Sequence, residues 1–161
     1  MPTQLNDTLT LTFPSDVEMT ITRTFAAPRH LLFDAITKPE HVRNWYGPSY
    51  LTITTCEIDL RVGGKWRYVL QAPDGSEHAF SGEYLEITAP ERLVCTEWYE
   101  AIPGAEYVAT VTLTEVEGKT VLTNLLRYKS KEHRDGHVAS GMEGGMRETY
   151  LRLDALLATL S

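Results

Sequence analysis

The chain has 161 residues, 42% of them hydrophobic, enough to build one core of ordinary size without a metal or disulfide staple. Its 22 acidic residues outnumber 15 basic ones, the net charge is −7, and no dense Lys/Arg cluster interrupts that excess. Nucleic-acid binding and attachment to an anionic membrane surface both need such clusters, so neither is expected.

Cys56 and Cys95 form no CxxC pair and lie in apolar–polar alternating stretches, the setting of reduced, buried thiols. The N-terminus has no basic stretch followed by an apolar one, and no run is long enough to span a bilayer. A cytoplasmic protein is therefore expected.

Residues 1–16 read as a loosely attached lead-in, within which residues 8–13 alternate in the manner of a short edge strand. One domain is expected over 17–161. Val17, Met19, Ile21 and Phe25 share one face of a first strand. A helix follows Ala27-Pro28, with Leu32, Phe33 and Ile36 as its buried stripe, and Lys38-Pro39 opens a second short helix reaching about Trp45. From there the period is two. Six strands are predicted at about 51–60, 65–71, 77–88, 92–100, 106–117 and 119–128. The turn signals between them, such as Pro73-Asp74-Gly75 and Glu117-Gly118-Lys119, are those of hairpins, so the sheet is an antiparallel meander. Ser130 starts a short helix weakened by Gly136. Met142, Met146, Tyr150, Leu153, Leu157 and Leu160 then recur at helical spacing, one apolar stripe about five turns long.

The expected fold is α+β: a seven-stranded curved antiparallel sheet, two short helices, and one long C-terminal helix covering the apolar face of the sheet. A gap left between sheet and helices is where a ligand would sit.

An ordered series of motifs carries a resemblance. It runs from Arg23-Thr24-Phe25-Ala26-Ala27-Pro28 through Trp45-Tyr46-Gly47-Pro48 and Asp59-Leu60-Arg61-Val62-Gly63-Gly64-Lys65-Trp66. It continues with Gly82-Glu83-Tyr84-Leu85-Glu86-Ile87, Pro90-Glu91-Arg92-Leu93-Val94 and Gly141-Met142-Glu143-Gly144-Gly145. Over residues 17–160 the chain resembles the bacterial single-domain members of the family named for the activator of the heat-shock-protein-ninety ATPase. That family belongs to the START-like, birch-pollen-allergen-like superfamily. The resemblance implies a helix-grip fold with a cavity between sheet and long helix. It does not imply one activity, because relatives include co-chaperone domains, lipid carriers, cyclases and a self-sacrificing antibiotic-resistance protein. The chain shows no counterpart of the separate N-terminal domain of the eukaryotic co-chaperone, so chaperone activation is not carried over.

Aromatic side chains supply the first candidate contacts. Trp45 and Tyr46 end the second helix near the expected cavity mouth, Trp66 and Tyr68 share one strand face, and Phe80 lies on the next strand. Met142, Met146 and Tyr150 would face them from the long helix. Polar residues in inward phase complete the set. Glu97 follows Leu93 and Cys95, and Asn124 stands between Leu122 and Leu126. A buried Glu97 would have a raised pKa and could act as an acid or base. Arg23, in phase with Ile21 and Phe25, calls for a carboxylate partner.

Gly141, Gly144 and Gly145 read either as a cap with close helix–sheet packing or as room for a ligand. His133 and His137 stand four apart but lack the Glu of a His-Glu-x-x-His site, so no metal and no cofactor are expected. No nucleophile elbow is readable around Ser140.

The leading functional expectation is non-enzymatic binding of an apolar or aromatic small molecule. Two alternatives stay open. One is a protein-interaction module, co-chaperone-like or stress-responsive, with a chaperone or a second copy of the chain as partner. The other is a cyclase-like or hydrolytic enzyme using Glu97, a His or a Tyr in the same cavity.

Overall fold

The structure, a computed structural model, describes residues 9–160. The chain enters through β1 (Thr10–Thr12) and β2 (Glu18–Phe25), then α1 (Arg29–Thr37) and α2 (Pro39–Val42). Six strands follow: β3 (Thr52–Ile58), β4 (Lys65–Gln71), β5 (Glu77–Thr88), β6 (Arg92–Tyr99), β7 (Tyr107–Val116) and β8 (Lys119–Arg127). The chain closes with α3 (Lys131–Ala139) and α4 (Met142–Leu160).

All strands join one antiparallel sheet in the order β1-β2-β8-β7-β6-β5-β4-β3. The stretch from β3 to β8 is the expected meander. What local pattern could not supply is the seam between β2 and β8, where Ile21 pairs with Asn124 and brings the first long strand beside the last. Register slips between Ile53 and Thr55 and between Tyr84 and Glu86 mark bulges, which bend a strand and increase its twist. The β7–β8 turn has positive φ at both Glu117 (53°) and Gly118 (80°), as a two-residue primed hairpin requires.

Two expectations are corrected. The sheet has eight strands, not seven, and the described residues contain four helices rather than three. The eighth strand, β1, is three residues long and lies within the alternating residues 8–13, the short edge strand that the lead-in suggested but the seven-strand count left out. Tertiary contacts hold it: Leu11 pairs with Ile21, Leu9 is buried in the core, and Arg147 on α4 donates to the Leu9 carbonyl. The lead-in is therefore anchored from residue 9 onward, while residues 1–8 lie outside the described residues. The fourth helix, α3, is the short one expected from Ser130 but left out of the fold count; it runs on through Gly136, with the Ser130 side chain capping it by accepting from the His133 N–H at 3.1 Å. The second helix stops at Val42 rather than near Trp45.

α4 lies on the inner face of the sheet. Leu153 and Leu157 are buried, and Tyr150 meets the Phe25 ring edge-on at 5.5 Å. Arg23, buried on β2, reaches Asp154 on α4 at 3.5 Å, with its guanidinium 4.6 Å from the Phe25 ring centre. That pairing supplies the carboxylate which the inward phase of Arg23 demanded. No helix among the described residues is long and apolar enough to cross a membrane.

Candidate functional site

Sheet and α4 do not close on each other completely. Between them lies a cavity of about 300 Å³. Its floor is the inner face of β4 to β8, its roof is the first half of α4, and one side is the segment that follows α2. Strand alternation aims Trp66 and Tyr68 inward from β4, Phe80 from β5, Glu97 from β6 and Asn124 from β8. Helical spacing aims Met142, Met146 and Tyr150 down from α4, and Trp45 and Tyr46 close the side. All ten residues singled out in the sequence thus stand in the wall of one cavity.

Aromatic rings dominate one end. Tyr46 packs on Tyr68 at 4.8 Å, Trp66 on Tyr68 at 4.7 Å, and Tyr46 on Phe80 at 6.2 Å. Trp45 has a second task, since its indole N–H donates to the Ala35 carbonyl at 2.8 Å and ties the wall to α1. Trp66 is buried, and its indole nitrogen, which faces the Cys95 thiol, makes no hydrogen bond of normal geometry among the described residues.

The polar groups are few. Tyr107 on β7, directly opposite Glu97 in the β6–β7 register, donates its hydroxyl proton to Glu97 Oε2 at 2.7 Å. Burial pushes the Glu97 carboxyl above its ordinary value of 4.5, with the Tyr107 hydrogen bond working the other way. Glu97 in turn adds to the effect of burial in raising the hydroxyls of Tyr46, Tyr107 and Tyr150, and the Cys95 thiol. Asn124 is buried, and its Oδ1 has no hydrogen-bond partner. His137 on α3 shares a hydrogen bond with the Tyr128 hydroxyl, and burial lowers its pKa, favouring the neutral imidazole. Histidine 137 is therefore a cavity-wall residue hydrogen-bonded within the protein.

A pH prediction follows from Glu97. Its folded pKa is raised, so its favourable contribution to folding is complete below about pH 4.5 and is lost as pH climbs through the raised value. Glu97→Gln removes that dependence. The variant is expected to melt above the parent at pH 8 and to converge with it near pH 4. Melting curves across that range check this, and a constant offset at every pH would refute it.

The mouth is built by residues with no sequence signature. Arg152 on α4 donates to the carbonyls of Gly47 and, at 3.3 Å, Asn44, while Glu148 accepts from the Ser49 N–H at 2.6 Å. α4 thereby holds the segment 44–49 against the cavity. Gly47 belongs there for a steric reason. Its φ is +86°, and a Cβ would come within 2.4 Å of Leu70 Cδ2.

The glycines at the start of α4 divide, Gly141 taking the expected cap role and the other two neither expected role. Gly141 has φ +83° and terminates α3, but a Cβ at Gly144 or Gly145 would touch nothing, and neither lines the cavity. Tyr107, Tyr84 and His137 are wall residues that were not selected from the sequence. Tyr107 was findable, because it is in inward phase with Ala109 and Val111. A wider groove of about 680 Å³ runs on the outer face of β3 to β6, charged and open, with Arg67 bonded to Glu100.

With fold and cavity in view, relatives can be compared. The family described as Activator of Hsp90 ATPase homolog 1-like protein matches residues 26–158. The chain belongs to that family. A solved structure of a Rhodobacter sphaeroides protein is 31% identical, with TM-score 0.89, covering 94% of this chain and 99% of that one. A Nitrosomonas europaea protein is 28% identical, with TM-score 0.82 and coverage of 91% and 97%. An AHSA1 protein of Silicibacter pomeroyi, 21% identical with TM-score 0.73 and coverage of 89% and 99%, shares the fold. No curated protein matches the chain. Family and fold together suggest a ligand-binding or interaction module.

Proposed function

We propose that the protein binds an apolar or aromatic small molecule, without converting it, in the cavity between sheet and α4. One observation carries this reading. About 300 Å³ is enclosed by walls that are mostly aromatic and aliphatic, with a few convergent polar groups, the usual make-up of a small-molecule site. A hydrophobic dye or lipid-like probe at a hundred times its Kd is expected to add about 2.7 kcal/mol of stability, raising the melting temperature by about 5–10 °C. A broad probe panel without any thermal shift would sink the proposal.

A second reading, an acid–base enzyme in the same cavity, draws on a different observation. Glu97 and His137 both stand in the wall with their pKa values shifted toward each other, the carboxyl upward and the imidazole downward, and burial favours the neutral form of each. Native mass spectrometry of protein from its own host separates the two. A retained compound that fresh protein leaves unchanged supports carriage. One that it converts, with loss of conversion in Glu97→Gln, supports catalysis.

A further inference from the structure

The charge inside the cavity is of one sign. Among the described residues the wall contains no Lys, Arg or Asp, and its one carboxyl is that of Glu97. His137 is the described wall residue that could turn cationic; burial favours its neutral ring, which shares a hydrogen bond with the Tyr128 hydroxyl. Arg23 acts on the Tyr150 hydroxyl electrostatically, but it is engaged by Asp154 and stands outside the wall. At the mouth, Arg152 and Glu148 are turned onto backbone groups of segment 44–49.

Glu97 therefore has one hydrogen-bond donor, Tyr107, and no cation beside it among the described residues. A buried carboxyl in this position is unfavourable unless a positive group answers it. On the same sheet floor, Asn124 Oδ1 is a second acceptor without a hydrogen-bond partner among the described residues. The rings of Tyr46, Tyr68 and Trp66 lie at the cavity's aromatic end, and such faces attract organic cations. An anionic amphiphile such as a fatty acid would find no counter-charge here and would face Glu97.

We propose that the natural occupant is an organic ammonium, an apolar or aromatic body bearing a protonated amine that pairs with the Glu97 carboxylate while the body packs on the rings of Tyr46, Trp66 and Tyr68. This rests on the cavity-binding reading above and adds the sign of the ligand.

Three probes with one bicyclic body test it: naphthalen-1-ylmethylamine, naphthalen-1-ylmethanol and 1-naphthoate, titrated calorimetrically at pH 7 into the full chain. The amine is expected to bind at least about tenfold tighter than the alcohol, with the naphthoate weakest. Glu97→Gln should bring the amine-to-alcohol affinity ratio, measured within the variant itself, down to about one. Since that variant is expected to melt above the parent at neutral pH, its loss cannot be put down to unfolding. A naphthoate as tight as the amine, or an amine preference that survives Glu97→Gln, overturns the assignment. Dye-induced stabilisation with no amine preference leaves cavity binding standing and this inference alone refuted. Failure of all three probes and of the dye panel removes both.

Discussion

Asp154→Ala is expected to destabilise the protein by about 3 kcal/mol, the lower end of the range for breaking a buried ion pair. Arg23 is the reason. Its side chain is 1% exposed, whereas Asp154 is 34% exposed, so removing the aspartate strands a charge that cannot reach water. Arg23→Met should be far milder, because it removes the buried charge together with its need for a partner. The double variant Arg23→Met/Asp154→Ala should be more stable than the sum of the single losses predicts, by about 1–2 kcal/mol. Urea unfolding with an unchanged m-value measures all three. An Asp154→Ala loss below about 0.5 kcal/mol, the size of an ordinary surface substitution, would show that Arg23 is not held by this contact. The pair matters beyond its energy, since it is the ionic link between β2 and the helix that roofs the cavity.

Gly82→Ala is expected to cost about 3 kcal/mol, at the upper end of the range for overpacking. A Cβ at this position would lie 1.8 Å from the Thr96 carbonyl oxygen and 2.5 Å from Trp66 Nε1. The first neighbour is backbone and cannot swing aside, so β5 and β6 must part. The second belongs to the cavity wall, so probe binding should weaken as well. Gly136→Ala is the control with opposite sign. It lies inside α3, a Cβ there would meet nothing, and alanine should stabilise the helix by up to about 1 kcal/mol. Thermal melts of the two variants side by side decide it, and a tolerated Gly82→Ala would mean that the β5–β6 contact is looser than described.

Much of this was legible in the chain. Period-two alternation placed β2 through β8 because each strand wets one face and buries the other. The methionine, tyrosine and leucine stripe from Met142 onward identified α4 for the same reason at helical period. Phase alone aimed Trp66, Tyr68, Glu97 and Asn124 into the interior, where the structure places them. What failed was whatever depends on distant partners. The alternation over 8–13 hinted at β1, but its place in the sheet is fixed by pairing with β2, by Leu9 in the core and by Arg147 on α4. The mouth contacts of Arg152 and Glu148 span about a hundred residues of chain and leave no local pattern. Gly144 and Gly145 suggested close packing or ligand room, yet they face open space.

By itself, then, the sequence determined that there is an apolar sheet face, a helix to cover it, and an acid and an amide pointing between them. These follow from side-chain period, a property of neighbours along the chain. Tertiary structure alone decided that β2 seals against β8, that Tyr107 is the group that answers Glu97, and that no basic side chain among the described residues joins them. Those outcomes depend on which strands become neighbours, and burial acts on a charge only through what stands beside it in space.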